Sequence, residues 1–402
     1  MNSISLPTSY ELPINTLSSV FAPSGTTTSY KFFWFLSILD IIERRNPISE
    51  NKVVDTPLLI DISEILLNMV IDAWFPLYCK LNLGNQDRLF KVRDGIIEAY
   101  NKTVSSEFAD NGNSCNLEDK DKEELLTEIK KIAPEKIIKL TKNLKKYVPY
   151  RFLSPWCNEE NNNIVMQKTQ KEPELKFIYS FVDDKTIQID PSWSKYLTDN
   201  LKILRDYTYW NLCCYIQRRN PNAHFVIDKI NRVNERKPHD TQKNIWNLAL
   251  KHGCEFKCPY SPSDNNIIII GNYELDHFIP WNYICNNLMW NLTPAKKEAN
   301  RSKGDKLPNI ETCIKTFALN QRTLLQYLVN VYGEKPEDYN YGQEKCPNII
   351  YDYLSLGVSI TEIANKNDAQ IVRFFKKHLN PYYLQAKNMG FKTWNNKYIG
   401  NI

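Results

Sequence analysis

Apolar positions recur along most of the chain at helical spacing, interrupted by two short stretches at strand spacing. Thr27 or Ser29 is placed to cap a helix running to about Arg45, and its centre, Phe32 to Leu39, is apolar on nearly every face. A helix without a polar face belongs inside a bundle. Helical patterns follow from Leu58 to Asn82, interrupted near Pro76, and from Asp87 to Tyr100, before the polar run Asn101 to Asp119 breaks the period. From Asp119 to Tyr147 the pattern is helical again, with a break at Pro134. Residues 174–182 and 185–190 alternate apolar with polar on either side of Asp183-Asp184, as a β-hairpin does. Pro191 suits the first turn of a long helix to about Arg219, which Asn220-Pro221 ends. Beyond Cys254 the period shortens to strands and returns to helix from Thr312 to Tyr332 and in the C-terminal segments, where Ser359-Ile-Thr-Glu362 is a capping-box pattern. The expected division is a helical domain over 1–118, a helical and β-hairpin region over 119–250, a strand-containing module over 251–310 and a helical region over 311–402.

Composition narrows the class. Across 402 residues, 42% apolar and 24% charged side chains with only 12 Gly and 21 Pro describe a folded globular chain and exclude disordered and collagen-like classes. The formal charge of +5 permits a polyanionic partner without demanding one, but the cations are unevenly placed. Lys130, Lys131, Lys136, Lys139, Lys142, Lys145 and Lys146 face only Glu135, and suit either a DNA backbone or a solvated helix face. Arg218, Arg219, Arg232, Arg236 and Lys237 form a second basic zone, whose position upstream of residue 251 favours substrate contact. The aromatics from Trp193 to Tyr215 recur at helical spacing, which favours a core role over base stacking.

The N-terminus lacks a basic region followed by an apolar stretch, so no export is indicated. Phe32 to Leu39 is too short to span a bilayer, and Leu58 to Cys79 carries Asp61, Glu64, Asn68 and Asp72, so no membrane segment is expected. Ten scattered Cys in a chain of this length point to reduced thiols and a cytoplasmic location.

Only five His are present, so His-dependent chemistry has few candidates. His224, His239, His252 and His378 have no chemical company and read as surface or structural residues. His277 differs, because it follows Asp276 directly in Tyr273-Glu-Leu-Asp-His277-Phe-Ile-Pro-Trp281. This segment reads as the second of two strands, the first being Ile267 to Ile270, with an irregular loop and a helix after it. Consecutive strand residues leave opposite faces, so one can hold a cation while the other reaches a water. Glu274 shares the Asp276 face. Asn300 and Lys303 lie three apart on the helix, which puts an oxygen ligand and a cation on one face, suited to a metal-bound phosphate.

His277 is followed after fourteen positions by Asn291 and after nine more by Asn300, and Asn300-Arg-Ser-Lys303 closes the motif. With that spacing, residues 254–308 resemble an HNH, or ββα-metal, nuclease domain, as found in CRISPR RNA-guided nucleases and bacterial restriction-type HNH proteins. The resemblance implies a ββα-metal module over 251–310, and with the helical periodicity on either side the expected class is α+β, mainly α, with helical N-terminal domains and C-terminal helices around the embedded module. It implies that Asp276 and Asn300 hold a magnesium or manganese ion and that His277 is the general base, a task suited to an ordinary imidazole pKa of about 6.5. Asn291 would orient the His ring and its loop, Lys303 would bind a phosphate oxygen, and Glu274 would support the metal site. Lys296, Lys297 and Arg301 would join Arg218, Arg219, Arg232 and Arg236 as nucleic-acid contacts. Many relatives hold a structural zinc in two Cys-x-x-Cys pairs; here only Cys254 and Cys258 occur, one residue wider, which argues against zinc.

The reading is a metal-dependent HNH endonuclease acting on DNA, with double-stranded DNA favoured, in restriction or anti-phage defence. A defence-system partner protein or a small-molecule trigger would act through the helical region. The rivals are a nucleic-acid- or partner-binding protein with a silent HNH module, and an RNA-cleaving HNH enzyme.

Overall fold

In the computed structural model the described residues are 5–22, 26–45, 57–84, 88–107, 117, 120–231, 240–261, 266–332, 340–341, 344–345, 352–353 and 355–395. They divide into two units, Met1–Arg232 and Val233–Ile402. The class is α+β and mainly α.

The first unit is built on the all-apolar helix. After α1 (Ile14–Val20), helix α2 (Tyr30–Arg45) buries every residue from Phe32 to Leu39. It packs against α3 (Ile62–Asp72), α7 (Pro134–Cys157) and α10 (Leu201–Arg219). Between these run α4 (Trp74–Tyr78), α5 (Leu89–Glu107), α6 (Lys122–Ile129), α8 (Asn162–Lys171) and α9 (Pro191–Asp199), and α11 (Val226–Asn231) closes the unit. Pro134 separates α6 from α7 as the sequence predicts, standing at the first position of α7, where its missing N–H costs nothing.

Two expectations change here. Leu58–Asp61 is a strand, β1, not the start of a helix; four apolar-rich residues are too few to distinguish a period of 2 from 3.6. Asp61 ends the strand and caps α3, its carboxylate accepting the Ser63 N–H at 2.7 Å. The hairpin forms from β2 (Tyr179–Phe181) and β3 (Thr186–Ile189), shorter than expected, and β1 adds to its far side in the antiparallel order β1-β3-β2. Asp183 makes the turn by accepting the N–H groups of Lys185 and Thr186 at 2.8 and 2.7 Å. The long helix after Pro191 is two helices, divided at Asn200, whose φ of −115° leaves the helical region.

Charged groups also stand between these helices. Lys122 on α6 bridges Asp40 on α2 and Asp72 on α3, and Arg205 on α10 reaches Asp40 at 2.8 Å and Glu43 at 2.6 Å. Burial pushes the Asp72 carboxyl up to about 6, against the opposing pull of Lys122.

The second unit starts with α12 (Asp240–Lys251) and reaches β4 (Glu274–His277), α13 (Trp281–Ile284), β5 (Leu292–Ala295), α14 (Lys297–Lys303) and α15 (Ile310–Tyr332). Helices α16 (Ile360–Ala364) and α17 (Asp368–Asn388) follow, and Ser359 caps α16 by accepting the Glu362 N–H at 3.1 Å. One apolar core runs from Trp246 and Phe256 through Phe278 to Phe317 and Phe375, so the strand module and the C-terminal helices are packed as one body. The Phe278 and Phe317 rings lie 4.4 Å apart. The strand expected at Ile267–Ile270 is reduced to one bridge, Lys257 with Ile267, and Ile269 is 64% exposed. The second strand of the pair is instead β5, antiparallel to β4 with Asp276 opposite Thr293 and His277 opposite Leu292.

Among the described residues no helix is long and apolar enough to cross a membrane, and the eight described Cys are free thiols.

Lys122→Met is expected to destabilise the first unit by about 3–5 kcal/mol, the cost of leaving a buried carboxylate without its cation. Burial holds the folded Asp72 carboxyl up at about 6 even with Lys122 pulling it down, so removing Lys122 raises it further; the uncompensated charge weighs on the fold at high pH and is neutralised by a proton as the pH falls. Thermal melting should therefore show a larger deficit at about pH 8 than at about pH 5. Equal deficits would contradict the assignment.

Candidate active site

The motif residues are carried by β4, β5 and α14. On β4 the pleat sends Glu274 and Asp276 to one face and His277 to the other. Helix α14 lies against the first face. Its Asn300 donates from Nδ2 to Glu274 Oε2 at 2.9 Å, and Lys303, one turn on, places Nζ 2.9 Å from Asp276 Oδ2. Two residues along a strand cover about 6.6 Å and three along a helix about 4.5 Å, near enough for two rungs to form together.

The lower rung is buried. Lys303 is 0% and Asp276 5% exposed. Lys303 Nζ also donates to the His277 carbonyl at 2.9 Å, and Tyr260 Oη donates to Asp276 Oδ2 at 2.5 Å. Burial first, and the Asp276 charge second, push the Tyr260 hydroxyl well above its usual range, so it keeps its proton and donates it to Asp276.

His277 points into a different set of partners. Its Nε2 lies 3.0 Å from the Asn286 carbonyl and 3.1 Å from Asn287 Oδ1. A carbonyl only accepts, so Nε2 carries a proton toward it, which leaves Nδ1 as the nitrogen through which the ring could act as a base. The ring is buried, 1% exposed. Asn291 does not hold this ring. Its side chain grips the backbone two residues beyond, accepting the Ile279 N–H at 2.8 Å and donating to the Ile279 carbonyl at 2.9 Å. Asn291 thereby closes the loop after β4, while the ring is oriented by Asn286 and Asn287.

The structure thus brings Glu274, Asp276, Asn300 and Lys303 onto one β4–α14 contact, with His277 and Asn291 behind it. Lys303 differs from expectation: its ammonium is enclosed against Asp276 and the His277 carbonyl instead of being presented to a phosphate. Lys296 and Lys297 are half-buried at the start of α14, and Arg301 is exposed two residues before Lys303. Arg218 and Arg219 end α10 in the first unit, where Arg219 stacks over Tyr215 at 4.7 Å and donates to the Thr27 carbonyl. Arg232, Arg236, Lys237 and His239 lie outside the described residues. His252 is exposed beside Tyr327, and His378 is bonded to the Phe374 carbonyl at 2.8 Å.

Tyr260, Asn286 and Asn287 were not singled out from the sequence. Tyr260 is sixteen residues from the carboxylate it touches, with no periodic relation to it. The Asn pair follows Cys285, whose φ of 51° turns the chain back over the ring, and only that turn-forming composition signals it.

The donor set suits a hard divalent cation. Asp276 Oδ2 is engaged by Lys303 and Tyr260, which leaves Oδ1; Asn300 spends its Nδ2 on Glu274, which leaves its Oδ1; Glu274 adds a half-buried carboxylate. These are oxygens of the kind magnesium and manganese prefer. Among the described residues no three His, Cys, Asp or Glu side chains gather into a metal-binding group, so the amide of Asn300 is needed to complete any set here.

Residues 258–309 match the family model described as HNH endonuclease, which spans Cys258, Tyr260 and the whole β4–β5–α14 unit. No curated protein and no solved structure matches the chain. Over this segment the chain is similar to HNH endonucleases.

Substitutions separate supporting from exposed residues. Lys303→Met should cost about 3–5 kcal/mol by stranding buried Asp276, and Asn291→Ala about 2–4 kcal/mol by orphaning both Ile279 backbone groups. Lys297→Ala should stay within about 0.5 kcal/mol. Denaturant unfolding monitored by fluorescence measures all three, and a Lys303→Met curve superimposed on that of Lys297→Ala would overturn the buried-pair reading.

Proposed function

We propose that the chain is a divalent-metal-dependent endonuclease whose HNH module hydrolyses phosphodiester bonds in DNA. The observation that supports this best is the double contact of β4 with α14, which lines up Glu274, Asp276 and Asn300 while His277 leaves the same strand on the opposite face. A magnesium or manganese ion held by Asp276 and Asn300, with Glu274 beside them, would act as a Lewis acid toward the developing phosphorane charge and the leaving oxygen. His277 would accept the proton of the attacking water at Nδ1. Lys303 and Tyr260 act one step back, holding Asp276 in position. Lys296, Lys297 and Arg301 would meet backbone phosphates, and Arg218, Arg219, Arg232 and Arg236 are the further contacts the sequence offers.

DNA, double-stranded above all, is the substrate of most modules that this one resembles, and a cytoplasmic role in restriction or anti-phage defence follows from the same kinship. A defence-system partner would supply the discrimination that a cutting module lacks.

A second reading has its own support. With His277 1% exposed and its Nε2 engaged, the Asn286–Asn287 segment shields the base. The module is then one held closed until substrate or a partner displaces that segment.

Supercoiled plasmid incubated with the protein and magnesium or manganese should be nicked, and EDTA should abolish nicking. His277→Ala, Asp276→Asn and Asn300→Ala should each lower the rate by about 100-fold or more. Plasmid left intact with every metal by both the wild type and Asn287→Ala would sink the DNA reading, and single-stranded DNA and RNA run in parallel identify the alternative substrate. Asn287→Ala distinguishes the two states of the loop: it raises the rate if the contact restrains the module, and lowers it if the contact orients the ring for attack.

A further inference from the structure

The β4–α14 contact is braced by residues that lie far beyond it in the sequence. Helix α14 ends at Gly304, whose φ of 50° turns the chain out of the helix. Leu307, just past that turn, is held by a distant stretch. Its N–H donates to the Lys392 carbonyl at 2.9 Å and its carbonyl accepts the Trp394 N–H at 2.7 Å, a parallel bridge opposite Thr393. That stretch leaves α17 at Gly390, where a φ of 93° turns the chain, and the Phe391 N–H closes on the Ala386 carbonyl at 3.1 Å.

The bridge seats Trp394 against both partners of Asp276. Its indole meets the Tyr260 ring edge to face, with 5.8 Å between centres and 84° between planes. Its Nε1 donates to Ser302 Oγ at 3.2 Å, on the last turn of α14 and next to Lys303. Tyr260 donates to Asp276 Oδ2, and Lys303 Nζ stands 2.9 Å from the same oxygen and 5.4 Å from the centre of the Tyr260 ring. Trp394 is 3% exposed, so the indole fills the space behind these groups.

What the indole adds is position. Edge-to-face rings at this separation attract each other in a defined orientation, and a smaller side chain would leave a cavity into which Tyr260 can move. Asp276 Oδ2 would then lose the fixed donor that leaves Oδ1 for a cation. The Ser302 bond acts on the other partner, because it anchors the turn of α14 that carries both Asn300 and Lys303. Partners standing behind metal donors typically change metal affinity by about 10- to 100-fold, since they set the direction in which the donors point.

We propose that Trp394 is a positioning residue of the nuclease site, holding Tyr260 and the last turn of α14 so that Asp276 and Asn300 present their free oxygens together to a divalent cation. This rests on the metal-dependent reading of the site. It carries the functional unit well past residue 309, where the match to HNH endonucleases ends.

The test uses the full chain without DNA and measures manganese affinity from the paramagnetic resonance of the free ion, with thermal melting in parallel. Trp394→Leu should weaken manganese by about tenfold. Trp394→Phe, which restores a ring beside Tyr260, should recover part of that loss, and Ser302→Ala should weaken manganese by a smaller factor. Ile363→Val, on α16 in the same core, should lower the melting temperature and leave manganese affinity unchanged. In plasmid nicking, Trp394→Leu should need more manganese for half-maximal rate, with the rate at saturation little altered. Wild-type manganese affinity in Trp394→Leu, with a lowered melting temperature, would mark a purely structural side chain and overturn the proposal. So would an equal loss of affinity in Ile363→Val. If Trp394→Leu does not fold, Trp394→Phe and Ser302→Ala decide in its place, and unchanged affinity in both overturns the proposal. A wild type that binds no manganese is a distinct result, which overturns the metal-dependent reading and this proposal with it.

Discussion

The ion pair between Asp276 and Lys303 is the constraint on which the active-site module depends. Two charges removed from water are costly, and their mutual attraction repays that cost only when the remaining hydrogen-bonding capacity is filled. Here it is filled: Tyr260 donates to the carboxylate, and the His277 carbonyl takes a further donor from the ammonium. Such a pair contributes little net stability over a well-packed apolar pair, but it tolerates only one alignment. Helix α14 is thereby set in register against β4. Asn300, one turn earlier, falls opposite Glu274 for that reason, and a slip of one residue would turn both donors away from the strand.

On the other face of β4, placement depends on the chain that returns to form β5. Asn291 ties Ile279 back to the start of β5, and Asn286 and Asn287 close over the His277 ring. This loop is braced from outside the motif. Gln321 on α15 donates to the Leu292 carbonyl at 2.6 Å, and Asn320 exchanges hydrogen bonds with the Lys257 backbone. Tyr353 in turn donates to Gln321 at 2.5 Å. The helices after residue 309 therefore do structural work for the module: without Gln321 and Asn320, the Leu292 carbonyl at the start of β5 and the backbone of Lys257 would lose these partners.

What could be read from the residues alone follows the range of the forces involved. The buried helix at Phe32–Leu39 was legible because its lack of a polar face is a local property, and so was the hairpin turn at Asp183. The spacing of His277, Asn291, Asn300 and Lys303 was legible because the motif's own geometry imposes it. Leu58–Asp61 was misread because its strand character comes from pairing with β3, more than a hundred residues away. Ile267–Ile270 was misread in the opposite direction: β-branched residues promise a strand, but β4 takes β5 as its partner. The role of Lys303 was legible in position and not in direction, since only the fold reveals that its ammonium turns inward to Asp276. Tyr260 and the Asn286–Asn287 pair act through contacts that no sequence period encodes.

In the first unit the same electrostatic rule is met by several charges at once. Around Lys122 the cations and carboxylates meet inside the fold: Asp40, Asp72 and Glu43 face Lys122 and Arg205, and every charge has an opposite neighbour. Such a set is complete without a ligand.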